Sequence, residues 1–177
     1  MRVFQNYTFS FFCQPSYFIN INPFMKTCSE LFLELLEKKN QPPEHSGTSR
    51  LLNKGKLAVS QKLLEEAAEI WMAVRFEEKA DIALEISQYW YYLMVYSISE
   101  GIFSGDVLNI LTQVESDSWK IKVHEKPNKE LIHTSVSLTA GNLKHEESVR
   151  MIQYLFRLTE QIAHENEVKK ESIFNQL

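Results

Sequence analysis

Apolar residues recur at three- and four-residue steps along most of this chain, the spacing of one face of an α-helix. Leu31, Phe32, Leu35 and Leu36 predict a helix over 29–39, which Thr27 or Ser29 can cap. The paired prolines of Asn40-Gln-Pro-Pro-Glu-His-Ser-Gly47 remove backbone donors and end it in a loop. Ser49 to Lys54 reads as a short helical turn, closed by Gly55 in the left-handed position. Leu63, Ala67, Ile70 and Val74 then form a stripe that Leu64, Ala68 and Trp71 widen, predicting a mostly buried helix. After the charged turn Arg75-Phe-Glu-Glu-Lys79, a second long helix carries Ile82, Ile86, Tyr89, Leu93 and Tyr96 as its core stripe. Gly101 ends it. Asp106 begins another, with Val107, Leu108, Ile110 and Leu111 on its apolar face, and this helical core ends near Val114.

The final third is patterned less sharply. Residues 116–128 are polar with Pro127 and read as a connector, although Trp119 and Ile121 suggest packing. Leu131 to Thr139 fits a strand (Ile132, Thr134, Val136, Leu138) or a helix (Ile132, Val136, Ala140, Leu143); the helix is favoured, because a lone strand has no ladder partner. His145 to Asn166 is amphipathic, with Val149, Ile152, Phe156 and Ile162 on one face and Glu146, Arg150, Gln153, Arg157 and Glu160 elsewhere. Such a helix either covers the preceding core or forms an oligomer interface. Residues 1–24 are aromatic and acid-free, which fits an extension upstream of the true start or an arm that packs on a partner. The expected fold class is all-α.

Polar residues add a candidate site. Lys62, Glu65, Glu66 and Glu69 share the arc left by the apolar stripe, and Glu65 and Glu69 at i,i+4 repel. On the next helix Glu85, Gln88 and Tyr92 share a face. Between antiparallel helices, the four carboxylates Glu65, Glu66, Glu69 and Glu85 with the amide oxygen of Gln88 form an all-oxygen set suited to a hard cation such as Mg²⁺. Glu-Glu-x-x-Glu serves equally as a solvated helix face, since Glu favours helices. Lys62, one turn before Glu66, is placed to meet a phosphate or to pair with Glu65 or Glu66. His45, Ser46 and Thr48 stand in the loop as substrate contacts or as a plain connection, and Glu77, Glu78, Lys79 and Asp81 are assigned to solvent.

Composition narrows the function. Five glycines and five prolines in 177 residues leave few breaks, as a helical protein requires. A net charge of −4 argues against a nucleic-acid partner, which needs a clustered basic face. Cys13 and Cys28 lack C-x-x-C spacing and read as reduced bystanders. No uninterrupted run of apolar residues predicts a membrane span, and residues 1–24 lack the continuous apolar core of a secretory signal. Neither a G-x-x-x-x-G-K loop nor a Ser/His/Asp arrangement offers rival machinery.

Several segments in order carry a resemblance over residues 25–114: Met25-Lys-Thr, Leu31-Phe-Leu-Glu-Leu35, Thr48-Ser-Arg-Leu-Leu-Asn-Lys-Gly55, Lys62-Leu-Leu-Glu-Glu-Ala-Ala-Glu69, Glu85-Ile-Ser-Gln88 and Gly101 followed by Asp106-Val-Leu108. This stretch resembles the phosphoribosyl-ATP pyrophosphohydrolases, enzymes of the second step of histidine biosynthesis within the all-α, MazG-like nucleotide pyrophosphohydrolases. The resemblance implies an antiparallel helix bundle flanked by an N-terminal extension (1–24) and a C-terminal helical extension (115–177). It implies Mg²⁺-dependent hydrolysis of phosphoribosyl-ATP to phosphoribosyl-AMP and pyrophosphate in the cytoplasm. Glu65, Glu66, Glu69 and Glu85 would then be catalytic metal ligands, joined by Gln88, with Lys62 and Lys56 near the substrate phosphates. Gln88 stands where the commonest family pattern has Asp, and Tyr92 where it has His; some bacterial members share the Glu-x-Ser-Gln variant, which leaves one fewer anionic ligand. The cysteine ligands of the cyclohydrolase often fused to this enzyme are not found, so a monofunctional chain is expected. The rivals are a MazG-like enzyme for another nucleoside triphosphate and a non-catalytic helical module. A homodimer is expected, because Trp71, Tyr89, Trp90 and Tyr91 exceed what a small bundle can bury.

Overall fold

The computed structural model describes residues 26–76, 78–116 and 123–177. The expected N-terminal extension, with Cys13, and the residues Glu77, Trp119 and Ile121 lie outside these. All the described secondary structure is helical. Helix α1 (Cys28–Lys38) starts in a reciprocal cap: the Thr27 hydroxyl accepts from the Glu30 amide at 3.1 Å and the Glu30 carboxylate accepts from the Thr27 amide at 2.9 Å. The prolines yield a short 3₁₀ turn, Pro43–His45, and α2 (Gly47–Asn53) follows with Ser46 as its cap. Gly55, at φ +83°, then turns the chain into α3 (Lys56–Phe76). Helices α4 (Lys79–Ser99) and α5 (Ser104–Glu115) complete this half, separated at Gly101, φ +67°. The other half holds α6 (Pro127–Ala140), α7 (His145–Glu165) and the short α8 (Lys170–Phe174).

The α3–α4 hairpin is the centre. Helix α6 rests on α3, α7 rests on α4 and on α6, and α8 lies against α4, so that α3, α4, α7 and α6 pack in a ring. Helices α1, α2 and α5 cover much of the opposite side. Leu63, Ala67, Ile70, Ile86 and Leu93 are fully buried along the hairpin seam. Each Leu or Ile so buried contributes about 1.5–3 kcal/mol.

The structure decides between the two patterns for 131–139 in favour of helix, since α6 lays Leu131 and Leu138 onto the core. It revises the widened stripe of α3: Ala68 is exposed and Trp71 is 37% exposed, because α4 and α6 occupy only the arc centred on Leu63 and Ile70. Glu160, read as a polar-face residue, is buried where α7 meets neighbours on more than one side. Helix α8 is an addition to the elements the pattern predicts; its Phe174 packs on Trp90 and its Ile173 is buried. The aromatic argument for a dimer changes too: Tyr89 and Trp90 are 0% exposed, covered within the chain itself.

Candidate active site

One turn of α3 and one of α4 build the acidic site. Glu66 and Glu69, three residues apart, project from neighbouring positions of α3, and Glu85 faces them from α4. One carboxylate oxygen from each lies within 4.8 Å of the other two. Glu66 is only 3% exposed, Glu85 is half-buried and Glu69 is open to solvent. Burial, followed by the charges of Glu69 and Glu85, pushes the Glu66 carboxyl up to about 7. Its Oε2 is buried and has no hydrogen-bond partner among the described residues. A buried, unmet carboxylate oxygen facing two further carboxylates is costly unless a cation or a proton joins it.

Of the five sequence-predicted ligands, the structure thus brings three together. Gln88 stands beside them, its amide Nε2 donating to Glu85 Oε2 at 3.3 Å, which leaves its carbonyl oxygen for another donor or a cation. Glu65 is exposed and outside the trio, held by Lys62 at 2.6 Å, and this pairing raises the Lys62 pKa. One of the two alternatives for Lys62 is therefore realised in the structure, without removing it from the site's edge.

Beside the acids runs a cationic groove of about 480 Å³, bordered by Lys38, Arg50, Lys54, Lys62, Tyr91 and Tyr92. Lys62 and Tyr92 link it to the acidic trio, since both feel the Glu66 charge. Lys38 is engaged by Glu34 at 2.8 Å, whereas Arg50 and Lys54 have no carboxylate partner among the described residues. Tyr91 is fixed by a 2.8 Å hydrogen bond with Thr48 and meets Tyr92 edge-on, ring centroids 4.9 Å apart. Burial first, then Glu66, raises the Tyr92 pKa, so this phenol stays protonated as a donor. Thr48 thereby orients the groove wall, while His45 is exposed in the 3₁₀ turn.

Lys56 sits elsewhere. It pairs with Glu100 at the far end of the hairpin, ten residues from Glu66 and so about 15 Å along the helix. The groove's unpaired cations Arg50 and Lys54 were not singled out from the sequence, although their i,i+4 spacing, from α2 to its C-cap Lys54, puts them on one face.

A sequence model of the family described as phosphoribosyl-ATP pyrophosphohydrolase matches residues 29–115, α1 through α5. Over 83 residues the chain is 46% identical to the phosphoribosyl-ATP pyrophosphatase of Streptomyces avermitilis, covering 46% of this chain and 92% of that protein. The chain belongs to the phosphoribosyl-ATP pyrophosphohydrolase family. The phosphoribosyl-ATP pyrophosphatase of Streptomyces coelicolor matches to the same extent. The histidine biosynthesis bifunctional protein HisIE of Prochlorococcus marinus is 43% identical over 90 residues, 51% of this chain and 41% of that protein. No solved structure matches. Both the acidic trio and the cationic groove fall inside the family segment, and α6–α8 fall outside it.

Proposed function

We propose that this protein hydrolyses the α–β phosphoanhydride of phosphoribosyl-ATP, releasing pyrophosphate and phosphoribosyl-AMP, in the second step of histidine biosynthesis. The observation that carries this is the juxtaposition, within a segment 46% identical to named phosphoribosyl-ATP pyrophosphatases, of three converging carboxylates with a cationic groove in which Arg50 and Lys54 have no carboxylate partner among the described residues.

The donor set suits a hard divalent cation: all the converging atoms are oxygens, and Glu66 Oε2 is buried without a partner. Glu66, Glu69 and Glu85 would hold Mg²⁺, with the Gln88 carbonyl or a water it binds completing the set. A cation held there would supply the charge that neutralises phosphate oxygens and lowers the pKa of an attacking water. The chain's own groups do the rest. Arg50 and Lys54 bind phosphate oxygens, Arg50 through its planar fork, and Lys62 guards the edge shared with the acids. A carboxylate of the cluster not fully engaged by the cation would accept the water's proton, while Lys62 holds Glu65 at the edge of the site. Tyr91 and Tyr92 offer ring edges and hydroxyls to the base and sugars.

Lys56, paired at the other end of α3, reaches substrate phosphates only if the nucleotide extends along the hairpin. No described helix is long and apolar enough to cross a membrane. The proposed reaction belongs to the cytoplasm, where Cys28 stays a buried thiol, its pKa raised chiefly by burial. Pyrophosphate release from phosphoribosyl-ATP, set beside a panel of ordinary nucleoside triphosphates, tests the reading. Strong preference for phosphoribosyl-ATP supports it; equal or better turnover of another triphosphate points to a MazG-like enzyme of different specificity; no turnover of any sinks the enzyme reading.

A further inference from the structure

The family segment ends in α5, yet the α3–α4 hairpin it contains has a face that α1, α2 and α5 do not cover. That face carries Tyr89, Trp90 and Tyr96, which together amount to roughly 450–750 Å² of side-chain surface. Left bare, it would match or exceed the largest apolar patches of soluble monomers, about 300–600 Å². Here α6, α7 and α8 cover it completely, with no buried polar atom of the three aromatics left unmet. Tyr89 shares a 2.8 Å hydrogen bond with Ser135 of α6, Trp90 Nε1 donates to Thr159 of α7 at 2.7 Å, and the Tyr96 hydroxyl donates to the Leu138 carbonyl at 2.9 Å. Phe156 and Phe174 pack on the Trp90 ring, centroids 5.7 and 5.8 Å away.

The Streptomyces relatives match over 92% of their length in 83 residues, which leaves them no room for a counterpart of residues 127–177. In this chain α6, α7 and α8 lie on α3 and α4 where a second copy would otherwise have to supply the cover. We infer that in this protein the α6–α7 hairpin, closed by α8, takes that place in cis, completing the four-helix ring with α3 and α4, so that the working unit is a single chain.

The inference rests on the fold and not on the reaction, and its tests need no substrate. Light scattering of the full chain across the micromolar range should give the mass of one chain. Its unfolding midpoint should be independent of protein concentration, whereas a face supplied by a second copy makes the midpoint rise with concentration. Thr159→Arg forces a cation against Trp90 and should lower the midpoint by about 10 °C or more, with red-shifted tryptophan emission. A two-chain mass, or a midpoint that climbs with concentration, would overturn the inference; Trp71→Glu, on the outer side of α3, would then show whether that side had formed the dimer. A Thr159→Arg protein that melts like the parent would overturn it as well, by showing that the seam is not closed.

Discussion

Helix α4 has two faces that treat buried polar atoms in opposite ways. Toward α6 and α7, the hydroxyls of Tyr89 and Tyr96 and the indole of Trp90 each meet a partner within 2.7–2.9 Å. Toward α3, Glu85 joins Glu66 and Glu69 in a cluster of like charges, and Glu66 Oε2 meets nothing. The first arrangement lowers the energy of the folded chain by itself, since satisfied buried groups stiffen and specify a core. The second raises it unless a cation or a proton joins the cluster. One helix thus carries a face whose buried polar atoms are met within the chain and a face that gathers like charges and leaves Glu66 Oε2 unmet.

The sharpest way to break this contrast is Glu66→Gln, which removes charge without removing volume. Turnover should fall by about 100-fold or more while the fold persists, as expected when a catalytic carboxylate set loses a member. Without divalent cations the variant should melt no lower than the parent at neutral pH. The sign follows from the raised carboxyl: the folded chain holds a proton that the unfolded chain releases between about 4.5 and about 7, so stability falls as pH rises through that window and Gln escapes the loss. A variant as active as its parent would remove Glu66 from the site. Next in size is Arg50→Ala, which should raise KM about tenfold, the worth of one charge-assisted phosphate contact, with kcat little changed. Unaltered KM would separate the groove from the substrate.

On the closing side, Glu160 is the exception that sharpens the rule. It pairs with Arg157 at 3.2 Å, but burial outweighs that charge and pushes its carboxyl up to about 7, with Oε1 unmet. The same sign applies, so stability contributed by protonated Glu160 fades as pH rises from about 4.5 through about 7. Glu160→Gln should flatten that slope in a melting series against pH and leave turnover alone. The smallest effect belongs to Gln88→Ala: a modest loss of Mg²⁺ affinity, on the order of 1 kcal/mol, and a far smaller rate loss than Glu85→Ala causes. Equal inactivation by the two would show that the amide is as necessary as the carboxylate.

Much of this was legible in the chain. Three- and four-residue periodicity suffices to place α1, α3, α4, α5 and α7, because each buries a continuous stripe, and Gly55 and Gly101 mark their turns by a conformation other residues avoid. The convergence of Glu66, Glu69 and Glu85 follows from spacing once α3 and α4 are antiparallel. What spacing alone leaves undecided is which carboxylate turns away: Glu65 and Glu66 are adjacent, and only the rotation of α3 against α4 buries one and exposes the other. No single stretch displays the groove, because its walls come from α1, α2, α3 and α4. The covering of Tyr89 and Trp90 was hidden for the same reason, since Ser135 and Thr159 lie 46 and 69 residues away and look like ordinary polar positions.

The central claim is that the Glu66, Glu69 and Glu85 face is built for a divalent cation that serves pyrophosphate release. Rate of pyrophosphate release from phosphoribosyl-ATP, measured against Mg²⁺ concentration for the parent and for Glu66→Gln, tests it most directly. The parent should show no turnover in chelator and a saturable rise with Mg²⁺, and the variant should stay near the baseline at Mg²⁺ levels that saturate the parent. A parent rate that chelation leaves intact, or a Glu66→Gln curve that overlays the parent's, would contradict the account.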